Sequence, residues 1–124
     1  MYRVVIADDH AVFRNSLRDL LMSHRQDLTI EEAADGPNVL DIIENAPTDL
    51  VFMDIRMPGE NGLLVTRRIK ARHPKLPVII LTSYDLPEYR EAARQAGADG
   101  FLTKGGSTPE ETITLLHELL NGNA

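Results

Sequence analysis

In Asp49-Leu50-Val51-Phe52-Met53-Asp54-Ile55-Arg56-Met57-Pro58-Gly59, an apolar run stops at a carboxylate, and Pro58-Gly59 then turns the chain. Apolar runs this short, bounded by polar and turn residues, mark strands buried on both faces, as in parallel sheets covered by helices. Open parallel sheets take their ligands at the carboxyl ends of their strands, so Asp54 is a candidate for chemistry. A carboxylate in that position can equally do no more than cap a turn or the next helix. This stretch alone leaves both readings open.

The same pattern recurs on either side. Tyr2 to Ala7 is an apolar strand that ends in Asp8-Asp9, and Val78-Ile79-Ile80-Leu81 is a buried strand that ends in Thr82-Ser83. Gly100 to Thr103 is a short strand running into Lys104, and Leu28 to Ala34, with alternating apolar positions, supplies one more. Helical spacing fills the gaps. Phe13, Leu17, Leu20 and Leu21 make one stripe, and Val39, Leu40 and Ile43 make another after Gly36-Pro37. Val65 and Ile69 line the inner face of a helix from Gly62 to His73. Pro87 suits the first turn of a fourth helix and Gly97 its end. Its inward side, Tyr89, Ala93 and Ala96, is small, so it is expected to pack weakly and to be able to shift. Thr108-Pro109-Glu110-Glu111 is a capping box for a last helix striped by Ile113, Leu116 and Leu120. Five strands alternating with five helices predict a three-layer α/β domain with right-handed crossovers, a flavodoxin-like (βα)5 unit with parallel sheet order 2-1-3-4-5.

Composition narrows the function. The 124 residues suit one domain, 1–124. There is no cysteine, hence no disulfide framework, thiolate metal site or thiol nucleophile, which fits a reducing compartment. No signal peptide opens the chain and no apolar run could span a bilayer, so a cytoplasmic protein without membrane contact is expected. The formal net charge of −6 disfavours nucleic acid as a direct partner. The basic run Arg67-Arg68-Ile69-Lys70-Ala71-Arg72 reads as a solvated helix face.

In the predicted sheet, Asp8-Asp9, Asp54, Thr82 and Lys104 all fall at strand ends on one edge. Crowded carboxylates repel one another, and a hard divalent cation relieves the repulsion. Mg2+ takes oxygen ligands, typically one or two carboxylates together with waters and phosphate oxygens. Asp9 and Asp54 are expected as direct ligands and Asp8 through water. Lys104 adds a compact positive charge and Thr82 a hydroxyl donor. That set suits phosphoryl transfer, with a carboxylate as nucleophile. Asp54, central on the edge, is the expected acceptor. His10, His24, His73 and His117 are scattered and read as surface residues, with His10 nearest the cleft.

These residues resemble the receiver domains of two-component response regulators, over essentially the whole chain. Val4-Val5-Ile6-Ala7-Asp8-Asp9-His10-Ala11-Val12-Phe13-Arg14 is similar to the opening of receivers of the NarL/FixJ type, whose output is of the LuxR kind. The Asp54…Pro58-Gly59…Gly62 loop, Thr82-Ser83 and Gly97-Ala98-Asp99-Gly100-Phe101-Leu102-Thr103-Lys104 fit the same pattern. The resemblance implies Asp54 as phosphoacceptor, with Asp8, Asp9, Asp54 and the backbone carbonyl of Arg56 around Mg2+. It implies Thr82 and Lys104 on the phosphoryl group, and Thr82, Ser83 and Phe101 as switch positions. It also implies a sensor histidine kinase as donor, a homodimer on phosphorylation, and control of an output, transcription being expected. A DNA-binding helix-turn-helix output domain is absent from this chain, so an excised receiver and a stand-alone one acting by partner binding both stay open.

Two departures from the family pattern stand out. Phe101 lacks the hydroxyl of the tyrosine often found there. Gly105-Gly106 follows Lys104 where many receivers have a cis proline, and a trans bond is expected because a cis bond at a non-proline residue costs about 2.5–4 kcal/mol. The resemblance also implies that Arg56 and Tyr84 occupy positions that influence how fast the acyl phosphate hydrolyses, and both are bulky enough to screen attacking water. A small Mg2+-dependent phosphatase with an aspartyl nucleophile is the competing reading. Such enzymes usually carry a second carboxylate two residues after the nucleophile, where this chain has Arg56.

Overall fold

The computed structural model describes residues 1–121; the Gly122-Asn123-Ala124 end of the expected domain lies outside the described residues. In chain order the elements are β1 (Tyr2–Ala7), α1 (Ala11–His24), β2 (Leu28–Ala33), α2 (Gly36–Asn45), β3 (Leu50–Asp54), α3 (Gly62–Arg72), β4 (Val78–Thr82), α4 (Pro87–Gln95), β5 (Gly100–Thr103) and α5 (Pro109–Asn121). The strands form one parallel sheet in the order β2-β1-β3-β4-β5. The predicted flavodoxin-like architecture is therefore the observed one. Boundaries differ slightly: β2 ends at Ala33, and His73 caps α3 instead of closing it.

Strand side chains alternate between two cores, as a period of two residues requires. Val5, Ala7, Val51, Met53, Val78 and Ile80 pack with Val39, Ile43, Val65, Ile69 and Ala93 from α2, α3 and α4. Val4, Ile6, Leu50, Phe52, Ile79 and Leu81 pack on the other face with Leu17 and Leu21 of α1 and Ile113 and Leu116 of α5. β3 and β4 are buried along their whole length, which is why their sequences read as continuous apolar runs. α4 contributes Ala93 as its buried residue, with Ala96 at its end and Tyr89 partly covered. The small inner face expected from the sequence is thus present.

Side-chain caps set several helix starts. Asp35 accepts from the Asn38 N–H at 2.9 Å and Asn61 from the Leu63 N–H at 2.7 Å. Thr108 and Glu111 close the predicted capping box, Thr108 Oγ1 accepting from the Glu111 N–H at 3.1 Å and Glu111 Oε1 from the Thr108 N–H at 3.3 Å. Gly97, at φ 94°, follows the Ala96 cap of α4 in the left-handed conformation that glycine tolerates best. No peptide bond among the described residues is cis, so Lys104-Gly105 is trans as expected, with Gly105 at φ 85° taking the turn.

Candidate functional site

The carboxyl edge of the sheet gathers the residues singled out from the sequence. Asp54 is the last residue of β3 and Thr82 the last of β4; Asp8 and Asp9 follow β1 and Lys104 follows β5. Because β1 and β3 lie side by side, where the strand order reverses, Asp8 and Asp54 are brought together. Asp8 is fully buried and Asp54 is 4% exposed, while Asp9 is exposed. Lys104 reaches in over the top, its Nζ 2.6 Å from Asp8 Oδ2 and 3.3 Å from Asp54 Oδ2. The contact with Asp8 is a close ion pair without hydrogen-bond geometry, and Oδ2 of Asp8 has no hydrogen-bonding partner.

Backbone contacts hold these groups. The Lys104 N–H donates to the Thr82 carbonyl at 2.8 Å, tying the loop after β5 to the end of β4. Oδ1 of Asp54 accepts from the Arg56 N–H at 3.4 Å. Thr82 Oγ1 accepts from the Tyr84 N–H at 3.0 Å, an arrangement that leaves the hydroxyl proton to donate elsewhere. Gly62 brings α3 so close beneath Asp54 that a Cβ there would sit 2.0 Å from the Asp54 carbonyl oxygen. The cleft, about 200 Å3, is lined by His10, Asp54, Arg56, Thr82, Ser83, Tyr84 and Lys104. That is room for a tetrahedral oxyanion and a few waters at about 30 Å3 each.

Burial, and next the charge of Asp8, push the Asp54 carboxyl above its ordinary range; Lys104 and the Arg56 N–H oppose the shift. The carboxylates of the donor set fit a hard dication, since a ligand atom from each of Asp8, Asp9 and Asp54 lies, together with one of His10, within 4.8 Å of the others.

Three residues enter that the sequence reading gave no role or set aside. His10 is largely exposed, as expected of a surface residue, yet its Nδ1 is 3.2 Å from oxygens of both Asp8 and Asp9 and 3.9 Å from Asp54 Oδ2. Arg14 donates from Nη1 to the Asp8 carbonyl at 2.5 Å and from Nε to Glu32 at 2.7 Å, anchoring the end of β1. Phe13, expected only as core, carries Lys104 Nζ 4.7 Å from its ring centre. Its place one turn into α1 is the only sequence signal for that. Phe101 packs partly against the core beneath α4, and the Arg90 guanidinium lies 4.6 Å from its ring centre. Arg56 stacks over Tyr84 at 4.7 Å and donates to the Tyr89 hydroxyl at 3.5 Å, so it spans the mouth of the cleft toward α4.

A parallel sheet in this order, with carboxylates and a lysine meeting at its carboxyl edge, defines a flavodoxin-like α/β domain with an acidic cleft. Residues 4–116 match the model of the response regulator receiver domain, and the chain belongs to that family of signalling domains. It is related to the NarL- and LuxR-type transcriptional regulators. The oxygen regulatory protein NreC of Staphylococcus haemolyticus is 35% identical over 115 residues, 91% of this chain and 52% of NreC. The transcriptional regulatory protein DegU of Brevibacillus brevis is 32% identical over 102 residues, 82% of this chain and 43% of DegU. A LuxR-family two-component response regulator from Aurantimonas sp. has a similar solved structure, with TM-score 0.87 and 30% identity over 97% of this chain and 85% of that one. The DNA-binding LuxR-family response regulator from Staphylococcus aureus gives TM-score 0.88 and 29% identity over 98% of this chain and 100% of that one. The chain spans about half the length of the curated relatives it matches. No described helix is long and apolar enough to cross a membrane.

Proposed function

We propose that residues 1–124 act as one phosphorylation-switched receiver domain in the cytoplasm, accepting a phosphoryl group on Asp54 from a sensor histidine kinase. The observation that carries this reading is Lys104 Nζ between the buried carboxylates of Asp8 and Asp54. An oxygen of Asp54 attacks phosphorus; a P–O bond forms, the P–N bond to the donor imidazole breaks, and the imidazole leaves with the electron pair. Lys104 follows the new charge from the carboxylate to the phosphoryl oxygens. Thr82 turns its free hydroxyl proton to the same oxygens. Asp8, Asp9, Asp54 and the Arg56 carbonyl would hold Mg2+, which when bound would supply positive charge to offset that of the reacting groups. Arg56 and Tyr84 cover the mouth and limit access of water to the acyl phosphate.

The displacement of Thr82 and Lys104 is carried outward by Ser83 and the loop after β4. α4, held by few buried side chains, shifts, and Phe101 repacks by apolar contact alone. The altered α4–β5–α5 surface, or that of α1 and α5, favours a homodimer and biases an output. Similarity to a transcriptional regulatory protein and to a DNA-binding response regulator supports transcription as that output, through a domain outside this chain. The test is intact mass after incubation with Mg2+ and a small phosphodonor. One added phosphoryl group is expected, labile to base and lost in Asp54→Asn or without the metal. Steady turnover of a phosphorylated substrate with no adduct would overturn the reading.

A further inference from the structure

We propose that Arg14 is a positioning residue for the acidic cleft: its guanidinium, aimed by Glu32, holds the Asp8–Asp9 peptide in the orientation that presents both carboxylates to a cation. The proposal rests on the reading above that this cleft binds Mg2+ during phosphorylation of Asp54, and adds what pre-organises the cleft for it.

The two carboxylates sit on irregular chain. The ladder between β1 and β2 ends at Ala7 and Ala33, and α1 begins at Ala11 with no side-chain cap from His10. The Asp8 N–H still donates to the Ala33 carbonyl at 2.9 Å. A continued ladder would offer the Asp8 carbonyl an N–H from β2, but β2 has ended. Arg14 Nη1 fills that place, donating to the Asp8 carbonyl at 2.5 Å. A buried carbonyl needs a partner, and this one belongs to the peptide that links Asp8 to Asp9. The plane of that peptide sets the direction in which the chain leaves Asp8. Asp8 and Asp54 are placed by the neighbouring strands β1 and β3, whereas Asp9 lies one residue further out and takes its direction from the braced peptide.

The guanidinium is itself held. Nε donates to Glu32 Oε1 at 2.7 Å, and Arg18 Nη1 donates to the second oxygen, Oε2, at 3.0 Å. The Arg14 and Glu32 side chains are both mostly covered, which shields their contact from water. A planar fork reaches the Asp8 carbonyl and Glu32 at once with little loss of freedom, which a single ammonium cannot match. Because Glu32 lies on β2, the arginine ties α1 to β2 and both to the end of β1. The segment is also closed on itself, the His10 N–H donating to Asp8 Oδ1 at 2.8 Å and the Arg14 N–H to the His10 carbonyl at 2.9 Å.

Position and charge predict opposite effects. As a bare positive charge beside an acidic cleft, Arg14 would repel a cation, and neutralising it would tighten Mg2+ binding. As a positioning residue it favours the bound cation, and removing it weakens binding. Groups that orient metal ligands from outside are worth about 10–100-fold in metal affinity.

Calorimetric titration of Mg2+ into the wild type, Arg14→Gln, Arg14→Lys and Arg18→Gln reads the sign. The rate of Asp54 phosphorylation by a small phosphodonor is followed in parallel across Mg2+ concentration. Arg14→Gln should bind Mg2+ at least about tenfold more weakly. Its phosphorylation should be slow at limiting Mg2+ and return to within about twofold of the wild-type rate at saturation. Arg14→Lys should fall between the two. Arg18→Gln removes the same charge from the same helix without touching the Asp8 carbonyl, and should stay within about twofold of the wild type. In the metal-free proteins, the Asp9 and His10 amides should exchange faster with solvent in Arg14→Gln, while those of β3 and β4 keep their protection. Unchanged or tighter Mg2+ binding by Arg14→Gln, an equal loss in Arg18→Gln, or a rate that stays low at saturating Mg2+ overturns the proposal. If Arg14→Gln loses protection throughout, Arg14→Lys decides: weakened Mg2+ binding there upholds the proposal and wild-type affinity overturns it. A wild type that binds no Mg2+ overturns the reading above together with the proposal.

Discussion

Lys104 Nζ meets the fully buried Oδ2 of Asp8 at 2.6 Å, joining the loop after β5 to the end of β1 across the edge of the sheet. Removing one partner of a buried pair strands the other charge, at a cost of about 3–5 kcal/mol. Lys104→Met keeps an unbranched apolar side chain and removes the charge, including its contact with the Phe13 ring. It should unfold at lower urea, by about 3 kcal/mol, and Mg2+ should stabilise it more than the wild type. Urea titrations with and without the metal read both effects, and equal stabilisation of the two proteins by Mg2+ would sink the argument.

Asp54 makes the opposite contribution. Its folded-state pKa is raised, first by burial and then by Asp8. The native state therefore binds its proton more tightly than the unfolded chain does. Stability linked to this group is greatest at low pH and declines as pH climbs from the ordinary carboxylate range through the raised value. At neutral pH the ionised carboxylate opposes folding. Asp54→Asn, with Lys104 still paired to Asp8, should be more stable than the wild type by on the order of 1 kcal/mol without metal. The gain should vanish in acid. Thermal melts across that pH range decide it; a variant less stable at neutral pH contradicts the assignment.

Arg90 covers Phe101 at 4.6 Å while its Nε donates to Asp85 at 2.6 Å. A cation over an exposed aromatic face contributes about 0.5–1 kcal/mol. A double-mutant cycle with Arg90→Gln and Phe101→Leu should return a coupling of that size in urea unfolding. Strict additivity would mean that the ring is held by the α4 core alone.

Gly62 offers the sharpest steric test. Its Cβ would lie 2.0 Å from the Asp54 carbonyl oxygen, which is backbone and cannot swing aside. Gly62→Ala should cost more than about 3 kcal/mol and depress phosphorylation of Asp54 in whatever fraction folds. Gly105→Ala makes a useful contrast. Among the described residues no atom outside its immediate chain neighbours stands within 4 Å of a Cβ there, so its cost comes from the positive φ of 85°.

Removing the Thr108 hydroxyl reads the capping box directly. Thr108→Ala should lower stability by about 1 kcal/mol with no effect on the Asp54 adduct, since the cap lies on α5 and lines no part of the cleft. Matched urea and mass measurements check both halves.

Local chemistry explains what could be read in advance. Leu50 to Met53 and Val78 to Leu81 are continuous apolar runs because their strands are covered on both faces. Asp35, Asn61 and Thr108 cap helices through residues two or three positions away. Such features depend only on near neighbours, and the alternation of strand and helix then leaves few topologies. Asp8, Asp9, Asp54, Thr82 and Lys104 were legible as a group because every parallel strand ends on the same edge. The turn of His10 toward three carboxylates was not legible, nor was Arg14 on the Asp8 carbonyl, Phe13 under Lys104 or Arg90 on Phe101. Each needs the strand order, the rotation of a helix about its axis and one rotamer to be settled together. By itself the sequence determined where strands end and which charges they carry; tertiary structure decided which of those charges face one another, because such distances are set by packing between elements remote along the chain.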